Sequence, residues 1–139
     1  MKLLKVIQDK TFNRIGGTKI IKVNFRLITA TNQNLRKLIK EKKFREDLFY
    51  RLNVVNINIP PLRERKEDIP DMISYFVRKI NEKYGLNKSF GSETVDMLIN
   101  CKWPGNIREL ENTIERILLL SDDDIINKSF LEDNLKNKC

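Results

Sequence analysis

Residues 44–65 read FREDLFYRLNVVNINIPPLRER, and this stretch decides how the chain is interpreted. It places Arg45 and Arg51 six residues apart, after which apolar and polar residues alternate over 54–59 until a double proline. Alternation with a period of two is typical of a strand, and proline ends strand pairing because it has no N–H to donate. We therefore expect a short helix that carries the arginines, then a strand, then a linker.

The residues before this stretch predict an incomplete α/β unit. Apolar residues at helical spacing over 2–9 predict a helix, and the Gly-Gly pair at 16–17 predicts a hairpin turn. Residues 20–31 alternate at first and then become continuously apolar, which indicates one long strand that is half exposed where it begins and buried where it ends. Either Asn32 or Asn34 can cap the helix that follows.

Beyond the double proline the pattern is helical throughout. Apolar residues recur at helical spacing in several segments; Gly85 is a stop signal for the first, and Asn106 with Glu109 resembles a capping box. The chain is thus predicted to consist of an incomplete α/β part over residues 1–61 and a helical part over residues 62–139. The predicted helices begin at Asp68, Ser92, Asn106 and about Ser129.

The net charge of +8 is concentrated in the first part of the chain. Residues 1–65 contain 16 Lys and Arg against 5 Asp and Glu, whereas residues 66–139 contain 11 against 14. A basic surface favours polyanions such as nucleic acid or nucleotide phosphates. The alternative is a solvated basic face without a specific ligand.

Composition and motif spacing exclude several kinds of catalytic site. The chain has no histidine, which excludes His-based triads and His-ligated metals, and we predict no metal site. The glycines at 16–17 do not form a phosphate-binding loop, because that motif needs an earlier glycine and a hydroxyl residue after Lys19, where Ile20 stands. Residues 117–123 resemble a strand that ends in Mg²⁺-binding acids, but their apolar positions continue a helical period. We therefore expect no nucleotide hydrolysis by this chain alone.

The chain is expected to be soluble and cytoplasmic. Charged residues make up 33% of it, and no apolar run approaches the length of a membrane-spanning helix. The first ten residues include Lys5, Asp9 and Lys10, so they do not form the apolar core of a signal peptide.

Five short motifs follow one another in a specific order along the chain. The motifs are KTFNRIGG over 10–17, ATN over 30–32, FREDLFYRLNVV over 44–55, PPLRERKEDIP over 60–70 and WPGNIREL over 103–110. Together they resemble the C-terminal portion of the sigma-54 interaction domain, the AAA+ ATPase module of bacterial enhancer-binding transcription activators. The resemblance implies the fold class α/β, with the C-terminal part of an AAA+ αβα core over residues 1–61 followed by an all-helical lid subdomain over residues 62–139.

In the first part, the resemblance assigns roles to Asn32, Arg45 and Arg51. Asn32 matches the polar residue called sensor I, which lies near the nucleotide γ-phosphate; its alternative role is a helix cap. Arg45 and Arg51 match positions from which one subunit reaches into its neighbour's nucleotide site as arginine fingers. Six-residue spacing on an ideal helix separates them by about 240°, so we expect one true finger and one supporting residue. The alternative is two surface ion pairs, Glu41–Arg45 and Asp47–Arg51.

Arg108 stands out before any resemblance is considered. It follows the proposed cap Asn106 by two residues, at the end of a helix where the dipole disfavours a cation, and it lies off the apolar stripe. The resemblance makes it the lid arginine called sensor II, which contacts ATP phosphate and reports nucleotide state. The alternative is a solvated charge paired with Glu109, Glu111 or Glu115.

As a whole, the resemblance implies a fragment of an ATP-dependent sigma-54 transcriptional activator that supplies sensor residues and trans-acting arginine fingers. It implies ATP and Mg²⁺ as cofactors of the intact family protein. No tight binding to this fragment is expected, because the family's phosphate-binding loop and Mg²⁺-binding acids would lie upstream of Met1. The implied partners are a homo-oligomeric ring and sigma-54 RNA polymerase.

The alternative function is a non-enzymatic basic module that contacts nucleic acid or caps an intact AAA+ ring. Direct DNA binding is not expected, because no aromatic residues interleave with the basic ones and no groove-reading helix is recognisable. If the fragment interpretation holds, the strands at 20–31 and 54–59 lack neighbours. We then expect the isolated chain to oligomerise or to have low stability.

Overall fold

The structure is a computed structural model that describes residues 2–135 of the chain. These residues divide into two compact units, a first unit over residues 2–58 and a second unit over residues 59–135. Among the described residues, no helix is long and apolar enough to cross a membrane.

The first unit begins with a helix and a hairpin. Helix α1 (Lys2–Asp9) leads into strand β1 (Thr11–Asn13), which pairs antiparallel with strand β2 (Ile20–Lys22) in a register that sets Phe12 opposite Ile21. Gly16 has φ 77° in the connecting turn, a conformation that glycine adopts without the steric cost of a Cβ. The glycine pair therefore closes a hairpin, as its sequence predicts.

Two short helices complete the first unit. Helix α2 (Leu35–Lys40) is capped by Asn34, whose Oδ1 accepts a hydrogen bond from the Lys37 N–H at 3.0 Å. Helix α3 (Glu46–Leu52) begins directly after Arg45. Of the two asparagines that the sequence offers as a cap, Asn34 takes the role.

The two long strands expected from the sequence are corrected by the structure. The strand predicted over 20–31 is limited to β2, and residues 54–59 form no strand. A strand requires a neighbouring strand to accept its hydrogen bonds, and the described residues supply none beside these segments. Their apolar side chains consequently remain in water, with Ile28 and Ile57 each 81% exposed.

The second unit consists of four helices that follow a turn-rich entry. Two 3₁₀ turns, Leu62–Glu64 and Lys66–Asp68, lead into helix α4 (Ile69–Tyr84), which has Pro70 in its first turn. Gly85 ends α4 in the left-handed conformation at φ 65°, as predicted for a stop signal. The remaining elements are β3 (Ser89–Phe90), α5 (Ser92–Asn100), α6 (Asn106–Leu120), β4 (Ile125–Ile126) and α7 (Lys128–Leu135).

The helices of the second unit close around one hydrophobic core. Helices α4 and α6 make its most extensive contact, and the strands β3 and β4 form a two-residue parallel ladder at its edge. Trp103, in the turn between α5 and α6, is buried and donates a hydrogen bond from Nε1 to the Leu98 carbonyl at 2.8 Å. The largest fully buried residues besides Trp103 are Leu62, Ile69, Leu98, Leu110, Ile114, Ile117, Leu118, Ile126 and Leu131.

The stretch over 117–123 is a helix end followed by an acidic loop. Helix α6 continues to Leu120 and ends at Ser121, whose backbone is extended. The interpretation as a helix rather than an acid-tipped strand is therefore confirmed.

Candidate functional site

The residues that the sequence nominates as a site fall into both units. Asn32, Arg45 and Arg51 belong to the first unit, and Arg108 belongs to the second. Asn32 is exposed in the loop before α2, where its side chain forms no hydrogen bond with the described residues. Because Asn34 caps α2, the alternative role of Asn32 as a helix cap is wrong.

Arg45 lies at the N-cap position of α3 and is held by the carboxylate of Asp47. Its Nε lies 2.9 Å from Asp47 Oδ1 and its Nη2 lies 2.5 Å from Oδ2, so the contact is bidentate. The hydrogen bond raises the pKa of Arg45 and lowers the pKa of Asp47. Both side chains are about half exposed. The positive charge of Arg45 is thus balanced locally by a carboxylate two residues away.

The alternative pair Glu41–Arg45 does not form. The Glu41 carboxylate lies 2.8 Å from Lys43 Nζ and 3.9 Å from Lys37 Nζ. Helix α2 ends before Glu41 and α3 begins after Arg45, so no helix brings these two side chains to i,i+4 distance.

Arg51 lies in the last turn of α3 and contacts α1 of the same unit. With the Gln8 amide oriented so that its oxygen faces the guanidinium, Arg51 Nε and Nη2 each lie 3.2 Å from that oxygen. Within residues 2–135, Arg51 forms no ion pair, since Asp47 is bound by Arg45. Its neighbour is therefore a neutral amide, and its charge is not balanced by an acid.

The start of α6 is built differently from the predicted capping box. Gly105 is the N-cap, and its N–H donates to Glu109 Oε2 at 2.8 Å, so the glutamate reaches back as predicted. The role predicted for Asn106 is wrong. Its Oδ1 accepts a hydrogen bond from the backbone N–H of Leu62 at 2.8 Å, and its backbone has a positive φ of 54°.

Arg108 is an exposed cation in the first turn of α6 that has no hydrogen bond or ion pair with the described residues. The three glutamates proposed as its alternative partners contact other groups. Glu109 accepts from Gly105, while Glu111 accepts from Lys79 Nζ at 2.8 Å. Glu115 accepts from Lys83 Nζ and from the Tyr84 hydroxyl, each at 2.8 Å.

The contacts of Glu111 and Glu115 form a ladder between α4 and α6. The Lys83 ammonium, and next the Tyr84 hydroxyl, lower the pKa of Glu115 because both donate hydrogen bonds to its carboxylate. The hydrogen bond that Lys79 donates to the Glu111 carboxylate likewise raises the pKa of Lys79. These two acids serve the helix packing and leave Arg108 available for an anion from outside.

The electrostatics at Arg108 favour an anion. The guanidinium stands near the positive end of a 15-residue helix, where the helix dipole and the charge act in the same direction. A planar guanidinium presents its N–H donors in a fork that matches two oxygens of one phosphate group. A guanidinium in this position can therefore bind a phosphate group. Among the described residues, no group of three or more His, Cys, Asp or Glu could hold a metal ion.

Two contacts of the candidate residues join positions that are far apart in the sequence. The Gln8 amide that holds Arg51 is separated from it by 43 positions, and Leu62 is separated from Asn106 by 44. No periodic pattern reports such contacts. At Asn106, the one local indication is that asparagine adopts positive φ more readily than most residues. The capping-box interpretation assumed a different backbone conformation there.

Two family models match the chain. The model of the sigma-54 interaction domain matches residues 1–58, and the model of the AAA+ ATPase lid domain matches residues 63–139. The two matches follow one another in the order that the five motifs predict.

Curated proteins and solved structures give the same result. Nitrogen fixation protein AnfA of Azotobacter vinelandii is 46% identical over 136 residues, which cover 97% of this chain and 26% of AnfA. The formate hydrogenlyase transcriptional activator FhlA of Escherichia coli is 50% identical over 129 residues, which cover 92% of this chain and 19% of FhlA. The crystal structure of NtrX from Brucella abortus in complex with ATP matches with a TM-score of 0.82 and 41% identity, over 93% of this chain and 30% of NtrX. The chain thus spans a third or less of the length of these proteins.

Proposed function

The chain belongs to the AAA+ ATPases of the sigma-54-dependent transcription activator family, and on this premise we propose that it supplies sensor residues and a trans-acting arginine finger to ATP hydrolysis in a ring assembly. Residues 1–61 are proposed as the end of the αβα core and residues 62–139 as the lid. The proposed partners are further copies in a homo-oligomeric ring and the sigma-54 RNA polymerase in the cytoplasm.

The unpaired guanidinium of Arg108 is the observation that carries this proposal. A cation near a helix N-terminus is unfavourable unless an anion compensates it, and the three glutamates considered as its partners are bound to other groups. An ATP phosphate would supply the missing negative charge. We therefore assign Arg108 as the sensor II residue, which binds phosphate from the lid.

The chemistry itself would come from ATP, whose terminal phosphoryl group is transferred to water. Asn32, which has a free amide in the exposed loop before α2, is proposed as sensor I, able to hold a water or a phosphate oxygen.

The test of the Arg108 assignment is an NMR titration of the chain with millimolar ATP. The backbone amides of the first turn of α6 should shift in the wild-type chain, and Arg108→Gln should weaken the fitted affinity about tenfold, the loss expected for one charge-assisted hydrogen bond. Arg78→Gln is the matched control, since Arg78 is an exposed arginine on α4. Equal affinities for wild-type chain and Arg108→Gln would refute the assignment.

Between the two finger candidates, the charge balance favours Arg51. Arg45 must break a bidentate contact with Asp47 before it can contact a phosphate, whereas Arg51 only has to leave a neutral amide. A finger works by neutralising the charge that develops on the transferred phosphoryl group. We therefore assign Arg51 as the finger and Arg45 as the supporting residue that fixes the start of α3.

This assignment is tested by complementation in trans. The chain is added to a full-length relative whose own finger arginines have been substituted and whose phosphate-binding loop is intact. ATP turnover should rise about tenfold or more with the wild-type chain, should not rise with Arg51→Ala, and should rise partially with Arg45→Ala. The Arg51 assignment fails if Arg51→Ala restores turnover as well as the wild-type chain does. The trans role itself fails if the wild-type chain restores nothing.

A further inference from the structure

A long-range hydrogen bond connects the entry of the second unit to the helix that carries Arg108. The backbone N–H of Leu62 donates to Asn106 Oδ1 at 2.8 Å across 44 residues of sequence, in a half-buried position. Leu62 is itself fully buried, in the turn that directly follows the double proline. The point at which the chain enters this unit is therefore fixed both by the Leu62 side chain and by the Leu62 backbone.

The backbone at Asn106 is arranged so that its side chain can make this bond. Its φ is 54°, in the left-handed region that asparagine tolerates better than most residues other than glycine. Its own N–H donates to the carbonyl of the buried Trp103 at 2.9 Å, which fixes the corner from the other side. This left-handed conformation is thus held by contacts on both sides, and its consequence is that Oδ1 faces Leu62.

Asn106 and Arg108 share the first turn of α6, only two residues apart. The same turn is closed by the hydrogen bond that the Gly105 N–H donates to Glu109 Oε2 at 2.8 Å, which links the residue before Asn106 to the residue after Arg108. A phosphate that draws the Arg108 guanidinium toward it would shift this turn, and the shift would reach the acceptor atom of the Leu62 N–H. The described residues offer no other side-chain acceptor for that N–H.

We propose that Asn106 is a positioning residue that couples phosphate contact at Arg108 to the backbone of Leu62, the point at which the linker enters the second unit. The inference rests on the proposed function, because it requires phosphate at Arg108. Through this hydrogen bond, binding of nucleotide at Arg108 would change the backbone at the linker.

Two substitutions at Asn106 separate coupling from folding. Asn106→Gly removes the acceptor atom and keeps the left-handed conformation, which glycine adopts freely. Asn106→Asp keeps an acceptor of the same size and also tolerates positive φ. Because aspartate adds a negative charge beside Arg108, each variant is titrated with ATP to saturation and the shifts at saturation are compared.

The readout is the Leu62 amide in the NMR titration with ATP. In the wild-type chain and in Asn106→Asp, saturation should shift the Leu62 amide together with the amide of Arg108. In Asn106→Gly, the Arg108 amide should still shift while the Leu62 response is lost. Without ATP, hydrogen exchange of the Leu62 amide should be faster in Asn106→Gly on the order of tenfold, while α4 and α6 stay protected.

The outcomes separate this inference from the proposed function. The coupling is refuted if Leu62 responds to ATP in Asn106→Gly as it does in the wild-type chain, or if the wild-type chain shifts at Arg108 but not at Leu62. In both cases Arg108 would remain a phosphate ligand. If ATP shifts neither residue in the wild-type chain, the proposed function fails and the coupling fails with it.

Discussion

The two units of this chain differ in the burial of their apolar residues. Every buried hydrophobic residue of the described chain lies in the second unit, from Leu62 to Leu135. In the first unit no described side chain is buried, and Ile15, Ile28 and Val55 stand among its exposed apolar residues. Yet both units have sequences with clear apolar patterns.

The difference shows what an apolar pattern needs in order to become a core. The helices of the second unit meet one another within the unit, so that each apolar stripe finds a partner, as α4 does on α6. The extended segments of the first unit have a pattern suited to a sheet, but no neighbouring strand among the described residues. We infer that the second unit holds its own structure, whereas the first unit depends on a covering surface.

The rate of amide hydrogen exchange should give the largest difference between the two units. Amides in the middle of α6 are helix-bonded around a buried core, whereas residues 24–30 form no backbone hydrogen bond in the described structure. We expect residues 24–30 to exchange at least about a thousandfold faster than α6 in dilute solution. Protection of both regions to a similar degree would contradict the comparison. Protection of 24–30 that increases with protein concentration would instead indicate that copies of the chain cover this segment, as the sequence led us to expect.

Matched alanine substitutions should give the next largest effect. Ile114 is fully buried on α6 and Ile28 is 81% exposed in the first unit. Ile114→Ala should lower the free energy of unfolding by about 2–5 kcal/mol, and Ile28→Ala should change it by less than about 0.5 kcal/mol. Urea unfolding followed by Trp103 fluorescence measures the loss in the second unit, since the chain has one tryptophan and it lies in this core. Far-UV circular dichroism, to which the helices of both units contribute, measures the loss in the first unit. Similar losses from the two substitutions would show that the first unit has a core as well.

Two glycines of positive φ offer a smaller, matched test. Gly85 at φ 65° ends α4, and Gly16 at φ 77° closes the hairpin, with no atom near the place of a Cβ in either case. Alanine at either position is strained by its backbone alone. Gly85→Ala should cost the second unit about 1–2 kcal/mol, whereas Gly16→Ala should leave the Trp103 transition unchanged. A shift of that transition by Gly16→Ala would mean that the units unfold as one.

The smallest expected effect is on the pH dependence of the stability of the second unit. The folded-state pKa of Glu115 is lowered by Lys83 and Tyr84, so this contact stabilises the second unit above the unfolded pKa of about 4.3 and ceases to do so as the pH falls through the folded pKa. Glu115→Gln should therefore lower the midpoint of unfolding at pH 7 but not near pH 3.

Asp47→Asn is the matched control in the first unit, since the pKa of Asp47 is likewise lowered, by Arg45. It should leave the Trp103 transition unchanged at both pH values. An effect of Glu115→Gln that is as large at pH 3 as at pH 7 would contradict the ion-pair account.

The sequence predicted helices better than strands for a physical reason. A helix forms its hydrogen bonds within itself, so the apolar period and the stop at Gly85 were sufficient to place α4. The strand predicted over 54–59 needed a partner that its own pattern cannot specify. The ladder of β3 and β4 is only two residues long on each side, too short for a period to be visible.

The candidate site was predictable in identity but not in its contacts. The motifs nominated Arg45 and Arg51 as a pair, and only the structure shows that one is bound by a carboxylate and the other by an amide. The bond between Leu62 and Asn106 depends on how the chain folds back over 44 residues. Contacts of this kind are set by tertiary packing, and the spacing of residues along the sequence does not predict them.

The most direct test of the central claim, that Arg108 senses nucleotide phosphates, compares the affinity of the chain for ATP with its affinity for AMP. The wild-type chain and Arg78→Gln should both prefer ATP. Arg108→Gln should lower that preference about tenfold and leave AMP binding nearly unchanged, because the proposed phosphate contact of the guanidinium is to the phosphates that AMP lacks. An unchanged ratio of the two affinities in Arg108→Gln would contradict the account.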